Sequence, residues 1–477
     1  MADIEWLLEQ IDLSPEGAEI GAFFDFDGTI IDGYSAAAFF QYRLRRGEIG
    51  VKEVAKSVRE AINVERRGHD VSEMMQVGVQ AQAGKDAEEL DAWARNVFAR
   101  KIAPMIFPDI RLIIDAHLQK GHTVAIASSA TRPQIQATAE DLGIEDIICT
   151  EIAEEDGVLT GELASEIRWG QGKADGVLEF ADEWGIDLEQ SFAYSNGAED
   201  LPLLESVGYP CALNADDELR AIAKDRGWPA SRLKAPASTS LIDLGRSAAA
   251  MGVFVGSVAA ATGLAVVNRS RSLGANVAAS AGSELALAAA GVRLNIVGEE
   301  NVWAARPAVF LFNHQSQLDV FVLAALLRKD FTGVAKKSLE KDPFFGPIGY
   351  LADVAYIDRS NNAAARKGLE PAVEALHNGR SIAIAPEGTR SPTSRLLPFK
   401  KGPFHIAMQA GVPVVPIVMR NCGEIMAAHS MVIHSGTVDV AVLEPVPTQD
   451  WTKDDLDERI DEIRQMYLDT LADWPSD

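Results

Sequence analysis

At 477 residues the chain is too long for one hydrophobic core and divides into two or three domains. Its 47% hydrophobic and 24% charged residues describe a globular protein rather than a disordered one. A formal net charge of -26 repels nucleic acid phosphates and excludes a nucleic-acid binder. Three cysteines, Cys149, Cys211 and Cys422, lie far apart without metal-ligand spacing, as expected of a reducing cytosolic setting. Met1 to Pro15 alternates acidic and apolar residues with no basic stretch and no long apolar core, so it is not expected to be a signal peptide.

Gly21 to Phe24 reads as a short buried strand delivering Asp25-Phe26-Asp27-Gly28-Thr29 to its C-terminal end, where α/β sheets place their ligand sites. Two carboxylates one residue apart at a strand end suit a divalent cation and phosphate chemistry. One attacks phosphorus and the other protonates the leaving oxygen. The same residues also suit a plain polar exit from a strand into a turn, so later stretches decide.

Tyr34 to Pro104 has helical periodicity, with Val51, Val54, Val58 and Ile62 on one face, and suits an α-helical cap over that strand end. Its nearest basic runs are Arg43, Arg45 and Arg46, then Arg66 and Arg67. Thr123 to Ala127 reads as a second apolar strand, ending in Ser128-Ser129-Ala130-Thr131, whose hydroxyls and amides can hold phosphate oxygens. Lys173 supplies a cation after Trp169-Gly170-Gln171-Gly172, and Phe192 to Asp200 ends a further strand with a carboxylate.

In this order the four stretches resemble the haloacid dehalogenase superfamily, and Leu201-Pro202-Leu203-Leu204-Glu205 continues in the manner of its phosphoserine phosphatase-like branch. The resemblance spans about Gly21 to Ala223. It implies Asp25 as the nucleophile, Asp27 as acid and base, Ser128 as a phosphate ligand, Lys173 as the charge clamp and Mg2+ as cofactor, held by Asp25, Asp27, Asn196 and Asp200. The departure is Asn196, where the family pattern places an acidic residue. An amide oxygen coordinates a hard cation but brings no charge, so magnesium affinity should fall. Phosphatase activity is the expectation, with an inert or regulatory remnant as the alternative.

Gly227 to Ser240, rich in Pro, Ala and Ser, reads as a linker. Ser247 to Val267 then runs roughly 21 residues without charge, long enough to span a bilayer, and Leu273 to Gly291 follows as a second small-apolar run interrupted by Glu284. Arg246, Arg269, Arg271 and Arg293 bracket the two runs. A spanning hairpin would put Arg269 and Arg271 on the far side, against the positive-inside tendency. Two helices lying in the interface let all four arginines meet lipid phosphates, so a monotopic attachment is favoured. The rivals are the spanning hairpin and a soluble helical pair.

Ala308 to Phe312 reads as a buried strand leading into Asn313-His314-Gln315-Ser316-Gln317-Leu318-Asp319, and Val320 to Leu327 as a helix. A His at a strand end and an Asp five positions later can fold together into a pair. The carboxylate then holds one imidazole nitrogen protonated and leaves the other free to take a proton from a hydroxyl. Lys336-Lys337, Tyr356-Ile357-Asp358-Arg359 and Ala385-Pro386-Glu387-Gly388-Thr389-Arg390-Ser391 follow, then Leu397 to Gly402 and the apolar Val412 to Ile417. These ordered blocks resemble the lysophosphatidate acyltransferase family, over about Leu285 to Val446.

That resemblance implies lysophosphatidate (1-acylglycerol 3-phosphate) as acceptor and a fatty acyl thioester, acyl-CoA or acyl carrier protein, as donor. His314 oriented by Asp319 would deprotonate the sn-2 hydroxyl, with no Ser or Cys nucleophile. Lys336, Arg359, Glu387, Gly388 and Arg390 match the family's phosphate-binding blocks, with orienting the arginine or the hydroxyl as the alternative role for Glu387. A two-helix membrane motif ahead of the His-Asp block is also implied, at the position of the apolar pair. From Thr448 on, acidic residues with Leu456, Ile460, Ile463 and Tyr467 at helical spacing read as a terminal amphipathic helix.

The expected fold class is α/β: a haloacid dehalogenase-like Rossmannoid domain with a helical cap, a helix pair and an α/β glycerolipid acyltransferase domain. Expected bounds are 18–226 for the phosphatase domain (cap about 34–104), 227–243 for the linker, 244–292 for the helix pair and 293–477 for the acyltransferase domain. The expected function is phosphatidate synthesis at the membrane lipid surface, on the cytoplasmic face of the cytoplasmic membrane, joined to a Mg2+-dependent phosphomonoesterase. The alternatives are a protein that is mainly a phosphatase, of phosphoserine or of (lyso)phosphatidate, and an acyltransferase with a non-catalytic phosphatase-like module.

Overall fold

Short apolar runs without alternation form the central strands of two separate sheets, because strands covered on both faces need no polar side. The computed structural model describes residues 4–47, 71–341, 345–357 and 370–475. The chain divides into two units, Met1–Pro236 and Ala237–Asp477.

In the first unit, β1 (Gly21–Phe24), β2 (Thr123–Thr131), β3 (Asp146–Thr150), β6 (Phe192–Ser195), β7 (Tyr209–Leu213) and β8 (Ala230–Ser231) form one sheet. Its order is β3-β2-β1-β6-β7-β8, and every pairing is parallel. All four residues of β1 are buried. Successive side chains feed opposite layers, Phe24, Ile126 and Tyr194 to one and Phe23, Ala125 and Ala193 to the other. The chain leaves β1 toward β2 on one side and later returns to β6 on the other. The loops after β1 and β6 therefore meet at the switch in strand order, at the C-terminal edge where open α/β sheets place ligand sites.

Helices Ser35–Arg45, Val71–Gln80 and Ala87–Val97 are inserted between β1 and β2, where the cap was expected. Val51, Val54, Val58, Ile62, Arg66 and Arg67 lie outside the described residues. A hairpin of β4 (Ile152–Glu155) and β5 (Val158–Leu163) adds to the helical insertion, with Gly84 N donating to Leu159 O at 2.8 Å and Leu159 N to Lys85 O at 2.9 Å.

The stretch expected as a linker is shorter than its composition indicates. Ala230–Ser231 joins the first sheet as β8, and a helix begins at Leu241. Ser240 caps that helix in a box with Asp243, whose backbone N donates to Ser240 Oγ at 3.1 Å.

The second unit opens with that helix, Leu241–Asn268, and a return segment made of Arg271–Val277, a π turn Ala278–Gly282 and Ser283–Ala290. Gly274 sets their approach, since a Cβ there would lie 2.7 Å from both Ala261 O and Ala265 Cβ. Leu241–Asn268 is, among the described residues, the one helix long and apolar enough to cross a membrane. Leu241, Val266 and Val267 are 86%, 72% and 82% exposed, which separates it from an ordinary core helix. Two of the arginines expected at lipid phosphates are engaged within the protein. Arg246 donates to Ser435 Oγ at 2.9 Å, while Arg271 donates to Tyr350 O, lies over the Tyr350 ring and pairs with Asp353.

The remaining strands are β9 (Val292–Val297), β10 (Val309–Phe312), β11 (Phe331–Lys336), β12 (Ala355–Ile357), β13 (Ser381–Ile384), β14 (Val414–Met419) and β15 (Gly436–Val442). They form a seven-stranded sheet in the order β12-β11-β13-β10-β14-β15-β9. The first five in that order run parallel, and β15 and β9 run the other way. Phe310 and Phe312 pack on one face with helix Leu318–Leu327, and Val309 and Leu311 pack on the other with the C-terminal helix Leu456–Ala472. Tyr467 of that helix is fully buried and donates from its hydroxyl to Leu311 O at 2.7 Å.

Candidate active sites

In the first unit the end of β1 places Asp25 beside a buried cation. Lys173 Nζ donates to Asp25 Oδ1 at 2.7 Å and to Asp200 Oδ2 at 2.6 Å, with all three side chains buried. Ser195 Oγ also donates to Asp200 Oδ2, at 2.7 Å, and Thr29 Oγ1 to Asp25 Oδ2, at 3.0 Å. Burial pushes the Asp25 carboxyl above the usual range, against the pull of Lys173. Burial alone would lower Lys173, but the Asp25 and Asp200 carboxylates outweigh it and hold its ammonium charged.

Asp27 turns its carboxylate toward the cap. Ser35, the first residue of helix Ser35–Arg45, donates its N–H to Oδ1 at 2.7 Å and its hydroxyl to Oδ2 at 3.1 Å. Burial raises Asp27 as well, which suits a group that must hold a proton before giving it up. Ser128 is buried at the end of β2, where the pairing with β3 shifts register between Ser128 and Thr131, and its Oγ accepts from Ala130 N at 3.1 Å. Parallel pairing of Phe24 with Ile126 sets it one residue beyond the level of Asp25.

Asn196 packs directly over Gly28, whose φ of +85° and lack of a side chain make the room: a Cβ would fall 2.2 Å from the amide. The amide is best satisfied with its nitrogen donating to Asp27 O at 3.1 Å and Asp25 Oδ2 at 3.2 Å. Those spacings also suit ligands of one small hard cation if the amide turns over to offer its oxygen, but Asp25 then brings the only charge. Among the described residues no three His, Cys, Asp or Glu side chains gather as a metal set. Asp200, expected at the metal, spends one oxygen on Lys173 and Ser195, and its other is buried without a hydrogen-bond partner.

In the second unit the C-terminal ends of β10, β13 and β11 carry His314, the 385–391 loop and Lys336 along one sheet edge. His314 Nδ1 lies 2.8 Å from Asp319 Oδ2, an oxygen that also accepts from Gln315 N at 2.8 Å and Ser316 N at 2.9 Å. Asp319 is fully buried, whereas the His314 side chain is 22% exposed. Since an ionised carboxylate only accepts, Nδ1 carries the hydrogen and Nε2 keeps its lone pair.

The loop that presents this pair is tied to the end of β14. Asn313 Nδ2 donates to Met419 O, and Oδ1 accepts from Met419 N, both at 2.7 Å. Gln315 exchanges hydrogen bonds with Met419 O and Gly423 N, each at 3.2 Å, and Ser316 Oγ donates to Met426 O at 2.6 Å. Sequence reasoning singled out this stretch but gave these three residues no role. Their partners stand about a hundred positions away, and main-chain acceptors leave no mark in a sequence.

Glu387, expected with the phosphate-binding residues or as an orienter of the arginine or the hydroxyl, does not offer its carboxylate to a phosphate: buried, it accepts from His314 N at 2.6 Å and Leu397 N at 2.8 Å. An anion engaged by two amides repels phosphate. Burial, helped by the nearby Asp319 carboxylate and opposed by the two amides, pushes it up to about 7. Gly388 takes a φ of +76° in the following turn. Ser391 N donates to His314 O at 2.8 Å, and Arg390 donates from Nη1 to Ala428 O at 2.7 Å. Lys336 is exposed at the end of β11. Arg359 lies outside the described residues.

Comparison with known proteins divides the chain at the same place as the two sheets. The family model for haloacid dehalogenase-like hydrolases matches residues 22–205, and that for acyltransferases matches residues 293–420. A 1-acyl-sn-glycerol-3-phosphate acyltransferase of Saccharomyces cerevisiae is 39% identical over 186 residues, which are 38% of this chain and 61% of the yeast protein. A probable phosphatase of Mycobacterium tuberculosis is 32% identical over 224 residues, 46% of this chain and 78% of that protein. The crystal structure of a lysophosphatidate acyltransferase from Thermotoga maritima covers 50% of this chain and 99% of its own, at 22% identity and a TM-score of 0.43. The chain thus spans less than two thirds of the yeast acyltransferase it matches.

Proposed function

We propose that this chain, which belongs to the haloacid dehalogenase-like hydrolases through its first unit and to the acyltransferases through its second, makes phosphatidate from lysophosphatidate and a fatty acyl thioester. The supporting observation is the His314–Asp319 pair, with Nδ1 donating to a fully buried carboxylate at 2.8 Å. His314 Nε2 takes the proton of the sn-2 hydroxyl as its oxygen bonds to the thioester carbonyl carbon. The C–S bond breaks, and the leaving thiolate of CoA or acyl carrier protein takes the proton from His314. Asp319 keeps the ring in the required tautomer and stabilises its charged form, a contribution of about 100- to 10,000-fold. Lys336, Arg359 and Arg390 bind the acceptor's phosphate, with Gly388 shaping the turn that carries Arg390.

The exposed apolar helix Leu241–Asn268 and its return segment attach the second unit to the cytoplasmic membrane from the cytoplasmic side, lying in the interface. With Arg246 and Arg271 engaged by the protein, the hydrophobic surface carries most of this attachment.

The first unit is read as a phosphomonoesterase. Asp25 attacks phosphorus, the ester P–O bond breaks, and Asp27 protonates the leaving oxygen; Asp27 then takes a proton from the water that releases phosphate from Asp25. Ser128 and Lys173 hold the phosphoryl oxygens. Mg2+, held by Asp25, the Asp27 carbonyl and Asn196 with Asp200 behind them, would neutralise phosphoryl charge. Its substrate is phosphatidate, lysophosphatidate or a soluble monoester such as phosphoserine. The amide at Asn196 favours a second reading, in which this unit binds without hydrolysing.

One assay separates these readings. Detergent-solubilised wild type, Asp25→Asn and His314→Ala are given lysophosphatidate and oleoyl-CoA, and phosphatidate, diacylglycerol and phosphate are resolved by thin-layer chromatography. Loss of phosphatidate in His314→Ala alone, and of phosphate release in Asp25→Asn alone, is expected. Retained transfer in His314→Ala removes that residue from the mechanism.

A further inference from the structure

We propose that Glu387 is a positioning residue that locks the loop carrying Arg390 to the main chain of His314, and so fixes the spacing between phosphate site and base. This inference rests on the acyl-transfer reading. Glu387 Oε1 accepts from His314 N at 2.6 Å, and Ser391 N donates to His314 O at 2.8 Å. One turn therefore grips both sides of His314's backbone, and Arg390 sits between the two grips. Glu387 Oε2 holds Leu397 N at 2.8 Å, and Lys400 N donates to Pro386 O at 2.7 Å, tying in the next segment. Asp319 orients the ring of His314 while Glu387 sets where its backbone stands.

A buried carboxylate held mainly by amide hydrogens costs stability unless its charge is used. The charged and titratable groups facing it are Asp319 from helix Leu318–Leu327, His314 from the β10 loop, and Arg464 and Tyr467 from the C-terminal helix. Arg464 is the one cation among them, and Asp319 opposes it. Ionised, Glu387 accepts from both amides. Protonated, it must turn an O–H toward one of them and lose that bond. Acid therefore loosens the backbone of His314 through Glu387.

Glu387→Gln and Glu387→Asp in the full-length, detergent-solubilised chain test this with lysophosphatidate and oleoyl-CoA. Glu387→Gln is expected to lower kcat about 10- to 100-fold, the scale of a misplaced catalytic group, with KM for lysophosphatidate nearly unchanged. Glu387→Asp should fall between it and wild type. The acid limb of log kcat against pH should be less steep in Glu387→Gln, which removes the Glu387 titration. With eight histidines in the chain, selective 15N-histidine labelling reads the clamp without substrate: the His314 amide proton should stand far downfield in wild type and move upfield in Glu387→Gln. Unchanged kcat, or raised KM at unchanged kcat, would overturn the proposal. So would an unmoved amide, and that readout stands even if wild type makes no phosphatidate and the acyl-transfer reading fails.

Discussion

Both units put a buried carboxylate at the C-terminal ends of parallel strands, but they compensate its charge in opposite ways. In the second unit Asp319 Oδ2 is satisfied by an imidazole and two backbone amides, all neutral donors. In the first, Asp25 and Asp200 share a buried ammonium, Lys173. A carboxylate held by neutral donors keeps its full charge, which is what an imidazole accepting a proton needs beside it. One paired with a cation is partly neutralised, which suits an oxygen that must approach an anionic phosphoryl group. The two sites should therefore fail differently when their carboxylate partners are changed.

The largest effect is expected from Asp319→Asn. The three donors all reach one oxygen, Oδ2, so a carboxamide that places its oxygen there keeps them but brings no charge to stabilise the imidazolium, whereas one that places its NH2 there loses all three and lets the ring adopt the tautomer with Nε2 protonated. Acyl transfer should fall about 100- to 10,000-fold in kcat while the second unit stays folded. Retention of most activity would mean that the 2.8 Å contact is structural.

Next comes Lys173→Met. It removes the ammonium shared by two buried carboxylates, Asp25 and Asp200, and should cost the first unit about 3–5 kcal/mol at neutral pH. The sign with pH is fixed. Unpaired buried carboxyls have folded pKa values above their unfolded ones, so the folded state binds more protons and stability falls as pH rises. The deficit should shrink toward pH 4–5. Calorimetry of the full chain would show an early endotherm that moves up on acidification, and an endotherm indifferent to pH would argue against this charge pairing.

Asn196→Asp should do less and in the other direction. It restores a second negative oxygen beside Asp25 and the Asp27 carbonyl, so half-saturation by magnesium should fall by about tenfold or more and phosphate release should rise. If neither moves, the amide is not what limits the first site.

How much of this could be read from residues alone depends on where the partners are. The strands β1 and β10 were legible as unbroken apolar runs, and the His-Asp pair because its members are five positions apart. The β4–β5 hairpin was missed although its signal is local: Asp156-Gly157 both have positive φ, 51° and 81°, as a tight hairpin turn requires. The helix start at Leu241 likewise lay open in Ser240-x-x-Asp243. The roles of Asn313 and Gln315, and the partners of Glu387, were not readable, because each bonds backbone atoms brought near only by the fold.

The smallest effect separates the parts of the first site. Ser195 Oγ donates to the same Asp200 oxygen as Lys173, at 2.7 Å against 2.6 Å. If the ammonium carries the compensation, the hydroxyl adds only an ordinary net hydrogen bond, so Ser195→Ala should cost about 1 kcal/mol with no new pH dependence. Denaturant titration of the full chain at two pH values would measure both. A loss approaching that of Lys173→Met would mean that the hydroxyl, through Asp200, holds the lysine in place, and that the ion pair alone does not define the site.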